Sequence, residues 1–230
     1  MLAEIKPHIP HYSVIPMITP GIMDSQERLQ VDTESLPRLL DWFQGKADFL
    51  FIAGGTGEVY DLDRGQREDL IREMGRLSVG RIPVLAGVFA ETLDDIDFYT
   101  RVAHETDGVI GVVINLMYGI GTPEEKLAAV EKATTKPVTV YNIPDRQNGI
   151  PLNASRYRNK LRADLQVVAI KVTTRSENVI TPWLKGDQSN LVVLPGSTDT
   201  LKYALENGAQ GWVMGAANVY PDAFSAANFF

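Results

Sequence analysis

The chain has 230 residues and no cysteine, and 22 lysines and arginines against 29 aspartates and glutamates leave a net charge of −7. That length suits one α/β domain over residues 1–230, and the 44 % apolar content is an ordinary globular balance. The acidic total argues against a nucleic-acid partner, which calls for a basic stripe. Without cysteine there are no disulfides, thiolate nucleophiles or cysteine-held metals, a pattern that fits a cytoplasmic protein.

Residues 1–20 are interrupted by Pro7, Pro10 and Pro16 and hold no continuous apolar core, so no signal peptide is expected. The first β-branched run is 13–19. Helical spacing of Leu36, Leu39, Leu40, Trp42 and Phe43 then predicts a helix over 33–44, with Pro37 near its first turn, where proline is tolerated. Runs at 49–53, 84–87, 109–114, 138–141, 167–171, 191–195 and 211–214 predict further strands. Amphipathic stretches at 66–79, 93–104, 124–133, 153–161, 176–184 and 199–207 predict the helices between them, and Thr122-Pro123 marks one start. The longest apolar stretch, 109–120, is broken by Gly111, Asn115 and Gly119 and is too short to span a bilayer. A soluble protein with no membrane partner is expected.

Eight strands alternating with helices predict a parallel sheet, and at this spacing a (β/α)8 TIM barrel. An open doubly wound sheet is the runner-up, but the first run leads into Thr19-Pro20-Gly21 rather than a glycine fingerprint. Only residues 221–230 follow the last run, so the eighth helix is expected to be short or truncated, with a partner surface over Phe229 and Phe230 as the other explanation.

In such a barrel the chemistry sits on the loops after the strands. Lys171 ends the apolar run Val167-Val168-Ala169-Ile170. A lysine on a buried strand is costly to keep charged and is pushed toward the neutral amine. That amine attacks carbonyl carbon and forms Schiff bases. Tyr141, thirty residues upstream, closes another apolar run with a phenol able to shuttle protons. The bland alternative is a lysine snorkelling to water. After the second run, Gly54-Gly55-Thr56-Gly57 lets successive backbone N–H groups face one concavity, an anion cradle to which Thr56 adds a hydroxyl. A tight turn with Thr56 and Glu58 as local caps is the alternative.

GGTGE at 54–58, YNIPDR at 141–146, IK at 170–171 and the series Gly208, Gly211, Ala217, Asn218, Pro221 resemble, in order and spacing, the dihydrodipicolinate synthase / N-acetylneuraminate lyase family. The resemblance implies a (β/α)8 barrel in which a lysine forms a Schiff base with pyruvate or a related 2-oxo acid. No cofactor beyond that covalent imine, and no metal, is implied. It assigns the Schiff-base lysine to Lys171 and the catalytic phenol to Tyr141. Tyr118 matches the tyrosine that reaches into a neighbouring subunit's site, which implies a homodimer or homotetramer. Backbone N–H groups of Gly55 and Thr56 would hold the pyruvate carboxylate, Thr56 would relay protons, and Val213 would pack on the substrate. Arg146 resembles the arginine that grips the second substrate's carboxylate, by forked, charge-assisted bonding.

Gly55 stands where the family usually carries a hydroxyl, which resembles the 5-dehydro-4-deoxyglucarate dehydratase branch. Met117 replaces a common aromatic, and the Arg146 segment carries an extra residue. Arg146 favours the synthase, whereas Gly55 favours the dehydratase or a 2-keto-3-deoxy sugar-acid aldolase.

Three rival readings remain. His8 and His11 invite a metal, but a site needs three convergent ligands and His104 belongs to a predicted helix elsewhere. Gly196-Ser197 and Gly215-Ala216 could form the phosphate site common on barrels. A catalytically silent barrel that still binds 2-oxo acids is the reading of another class.

Overall fold

The computed structural model describes residues 12–25, 29–144, 149–185 and 190–225. The first part of the chain forms β1 (Tyr12–Pro16), β2 (Gly21–Met23), β3 (Leu29–Val31), α1 (Leu36–Phe43), β4 (Phe49–Ile52), α2 (Arg64–Ser78), β5 (Val84–Gly87) and α3 (Leu93–Glu105). It continues as β6 (Val109–Ile114), α4 (Pro123–Ala133), β7 (Val138–Asn142), α5 (Ala154–Ala163) and β8 (Val167–Val172). Last come α6 (Glu177–Leu184), β9 (Val192–Pro195), α7 (Thr198–Glu206), β10 (Gly211–Val213) and α8 (Pro221–Ser225). Eight strands lie in one sheet in the order β10-β1-β4-β5-β6-β7-β8-β9, each ladder parallel. The ends of that order meet at Gln210: its N–H donates to the Val193 carbonyl (3.2 Å) and its Oε1 accepts from the Val193 N–H (3.3 Å). On its other side the Gln210 carbonyl takes the Tyr12 N–H (2.9 Å). The architecture is the expected (β/α)8 barrel.

Local chemistry sets the helix starts. Asp63 with Gln66, and Thr122 with Glu125, form reciprocal capping boxes on α2 and α4, and Thr92 and Asn153 cap α3 and α5. Residues 33–35, expected as the first turn of α1, are a 3-10 turn capped by Asp32, and Pro37 follows in the first turn of α1. The first run was expected to extend to 19. The strand ends instead at Pro16, and the chain turns out into the antiparallel β2–β3 pair. Three-residue strands with exposed Ile22 and Met23 leave too short an alternation to read from sequence. The last helix, α8, has five described residues.

Strand alternation divides each strand between the barrel interior and the helix layer. Phe49, Thr139, Ala169, Val192 and Leu194 line a cavity of about 200 Å3 at the N-terminal mouth, so they point inward. Val140, Ile170 and Val193, at the alternate positions, are buried beneath the helices. Two residues on from Thr139 and Ala169, the same parity turns Tyr141 and Lys171 inward at the C-terminal mouth. The register pairs Tyr141 with Lys171, and Lys171 with Leu194. Among the described residues no helix is long and apolar enough to cross a membrane.

Candidate active site

Lys171 is buried, with 5 % of its surface exposed, so the amine does not snorkel to water. Its Nζ lies 4.0 Å from the centroid of the Tyr141 ring and 5.1 Å from that of Phe51. Burial pushes its pKa from 10.5 down to about 7. A ring face favours the ammonium by roughly 2 kcal/mol when desolvated. The fall to about 7 corresponds to about 5 kcal/mol at 1.36 kcal/mol per pKa unit, so desolvation outweighs the rings. The amine therefore gives up its proton far below the usual lysine range and is available as a nucleophile near neutral pH.

Two rings fix the phenol beside it. Tyr141 packs edge-on to Phe51 (6.5 Å between centroids) and tilted on Phe89 (5.7 Å), and Phe51 meets Phe89 edge-on (6.0 Å). The lysine stem needs Gly196. A Cβ there would lie 2.9 Å from Lys171 Cε and 2.0 Å from Thr173 Oγ1. Gly196, a candidate phosphate ligand by sequence, thus makes room for the amine. The following Ser197 already caps α7 and donates to the Asp199 carboxylate (2.9 Å), and a carboxylate there opposes a phosphate.

The glycine segment lies against the same ring cluster. Gly54 leaves no room for a Cβ, which would sit 2.8 Å from the Phe51 ring. Residues 55–57 form a 3-10 turn in which Gly57 and Val59 donate to the Gly54 carbonyl and Glu58 to that of Gly55. The leading amides of such a turn, on Gly55 and Thr56, have no carbonyl partner within it. Among the described residues the two non-glycine positive φ values, Ala53 (49°) and Glu58 (52°), flank this turn. Strained backbone of this kind clusters at ligand sites. Thr56 faces the loop after β10, since a Cβ on Gly215 would lie 3.8 Å from its Oγ1. That loop follows directly on Val213, which is buried and paired with Val14. Asn218 holds the loop in place by donating to the carbonyls of Pro16 (2.8 Å) and Gly215 (2.9 Å) and accepting from the Ile18 N–H (3.1 Å).

Tyr118 is placed elsewhere. Its ring packs on Tyr60 (5.2 Å) and its hydroxyl points to Glu91 Oε1 (3.4 Å). The cleft they line, with Arg64, Arg67 and Tyr99, includes neither Lys171 nor Tyr141. Arg146, His8 and His11 lie outside the described residues. His104 Nδ1 is within 3.1 Å of the Thr134 hydroxyl at the end of α3. Sequence reasoning passed over Phe51 and Phe89 as site walls. Inward parity on β4 was the available signal for Phe51.

The barrel, the buried amine and the flanking glycine turn agree with what the whole chain matches. A family model described as the dihydrodipicolinate synthetase family aligns with residues 13–227. The chain belongs to that family. The 4-hydroxy-tetrahydrodipicolinate synthase of Persephonella marina is 27 % identical over 214 residues, covering 91 % of this chain and 71 % of its own length. The structure of dihydrodipicolinate synthase from Aquifex aeolicus superposes with a TM-score of 0.83 at 25 % identity, covering 94 % of this chain and 73 % of that one. The same fold is shared, at 22 % identity and a TM-score of 0.81, by YagE from E. coli K12, solved in complex with pyruvate; 94 % of this chain and 73 % of YagE are covered. Membership of the dihydrodipicolinate synthetase family brings with it the expected enzyme class, a Schiff-base lyase.

Proposed function

We propose that this chain is a class I lyase of the 4-hydroxy-tetrahydrodipicolinate synthase type, acting on a small 2-oxo acid such as pyruvate. The observation that carries the reading is the desolvated Lys171 amine held against the Tyr141 ring inside the barrel mouth. The neutral amine adds to the ketone carbon and gives a carbinolamine. The Tyr141 phenol donates the proton with which the carbinolamine oxygen leaves as water, and an iminium remains. Loss of a proton from the adjacent methyl carbon gives an enamine, whose carbon attacks an aldehyde; the reverse sequence cleaves the same bond. The iminium is itself the electron sink, so no further cofactor and no metal is called for. The N–H groups of Gly55 and Thr56 hold the carboxylate, the Thr56 hydroxyl relays protons, Val213 packs on the substrate, and Arg146 binds a carboxylate on the second one. The synthase is favoured by Arg146. Gly55, which removes one hydroxyl from the relay, keeps a 2-keto-3-deoxy sugar-acid aldolase or dehydratase as the second reading.

Incubation with pyruvate and borohydride should add one reduced pyruvate to Lys171, read by mass spectrometry of the mapped peptide. The capture rate should rise about tenfold from pH 6 to pH 8 and then level, because only the neutral amine attacks and its pKa lies at about 7. A folded protein without adduct would favour the silent barrel, and a rate still climbing at pH 10 would mean a solvated amine.

Tyr118 faces the rim cleft rather than its own Lys171, which supports a role in a second copy's site. We take the working form to be a cytoplasmic homodimer or homotetramer with C2 contacts. Sedimentation of the active protein should show at least a dimer; an active monomer would contradict this arrangement.

A further inference from the structure

Among the described residues Lys126 is the other buried lysine, with 1 % of its surface exposed, and the chemistry above gives it nothing to do. It is the fourth residue of α4, the position where an apolar side chain ordinarily packs against the residue before the cap. Helical side chains lean toward the N-terminus. Lys126 accordingly runs back under the loop after β6, where its Nζ donates to the carbonyls of Leu116 (3.1 Å) and Gly119 (3.2 Å). Those carbonyls bracket Met117 and Tyr118. Both partners are neutral, and the neighbouring Glu125 carboxylate is engaged by the Thr122 N–H (2.8 Å) and hydroxyl (2.9 Å). A buried amine that donates to carbonyls, with the Glu125 carboxylate acting on it only through space, is an expensive way to fill a helix–loop junction that a methionine would fill without charge.

The far side of the same loop is also pinned. Gly119 has φ +76°, and a Cβ on it would lie 2.6 Å from the carbonyls of Ala90 and Glu91. The Ile120 N–H donates to the Glu91 carbonyl (2.7 Å), and the Tyr118 hydroxyl points to the Glu91 carboxylate.

We infer that Lys126 is a positioning residue for Tyr118: by holding the carbonyls on both sides of it, the amine sets where the phenol projects from the rim. This rests on the lyase reading for its kinetic consequence but not for its structural one. Lys126→Met keeps the length and apolar stem and removes the donor. In protein labelled with 3-fluorotyrosine, the 19F resonance of Tyr118, assigned by its loss in Tyr118→Phe, should shift or split in Lys126→Met while that of Tyr141 stays in place. An unchanged Tyr118 signal overturns the proposal, whether or not the protein is a lyase. In steady-state condensation Lys126→Met should lower kcat roughly tenfold with the KM for pyruvate within about twofold, as a misplaced group does. In the Tyr118→Phe background it should cost nothing more, since the residue it acts through is gone. Multiplicative losses in the double variant would overturn the proposal. Lys126→Leu, which likewise removes the donor, replaces Lys126→Met in both measurements if the latter does not fold. Absence of the borohydride adduct in the wild type would count against the lyase reading alone.

Discussion

Lys171→Met should abolish imine capture and raise the melting temperature together. The unfolded chain holds the lysine proton up to about pH 10.5, whereas burial lowers the folded value to about 7. Between those values the unfolded state binds more protons, so wild-type stability rises with pH across that window and is lowest, through this group, at and below its bottom. At neutral pH the penalty approaches about 5 kcal/mol as an upper bound. Methionine removes it and fills a similar volume, so a gain of a few kcal/mol, roughly 10 °C for a chain of this size, is expected at pH 7. The gain should shrink toward pH 10, which calorimetry at the two pH values would show. A lower melting temperature in the variant would mean that the amine stabilises the fold, and the case for an activated nucleophile would fail.

Tyr141→Phe is the second large effect. Phenylalanine keeps the contacts with Phe51, Phe89 and the Lys171 stem, so the melting temperature should fall by only a few degrees, the cost of one buried hydroxyl. Only the hydroxyl is lost, and with it the proton donor for carbinolamine collapse. A general acid contributes about 10²–10⁴-fold, so kcat should fall into that range, and the reduced adduct should accumulate correspondingly slowly in a quenched time course. An undiminished rate would transfer the proton-transfer role to another group and leave Tyr141 as a wall of the pocket.

The alternation of β-branched runs and amphipathic stretches made the barrel legible, because that fold repeats one unit whose two periods differ. Lys171 and Tyr141 were legible for a related reason: each ends a run, and inward parity with a C-terminal position is what this fold requires of reacting groups. The antiparallel pair 21–23 and 29–31 was not, since three residues carry no period. Gly196 drew notice as a phosphate ligand, yet its purpose lies in what it omits, and no local pattern reveals which distant side chain needs the space. Lys126 was passed over because a lysine in an acidic first turn reads as solvated surface. Its burial depends on how the preceding loop folds back over α4. Tyr118 could be singled out but not located, because its neighbours Tyr60 and Glu91 come from two other loops.

The junction at Gln210 has a mechanical consequence. Each other neighbouring pair of strands is laced by a parallel ladder, whereas the described contact between β9 and β10 is fastened by one residue through its main chain and its amide. Among the described residues the cylinder therefore has one lacing residue on that side, and it can part there while every ladder stays intact. Amide exchange should start along this line, at the Val193 N–H, well before it reaches the strand that carries the amine.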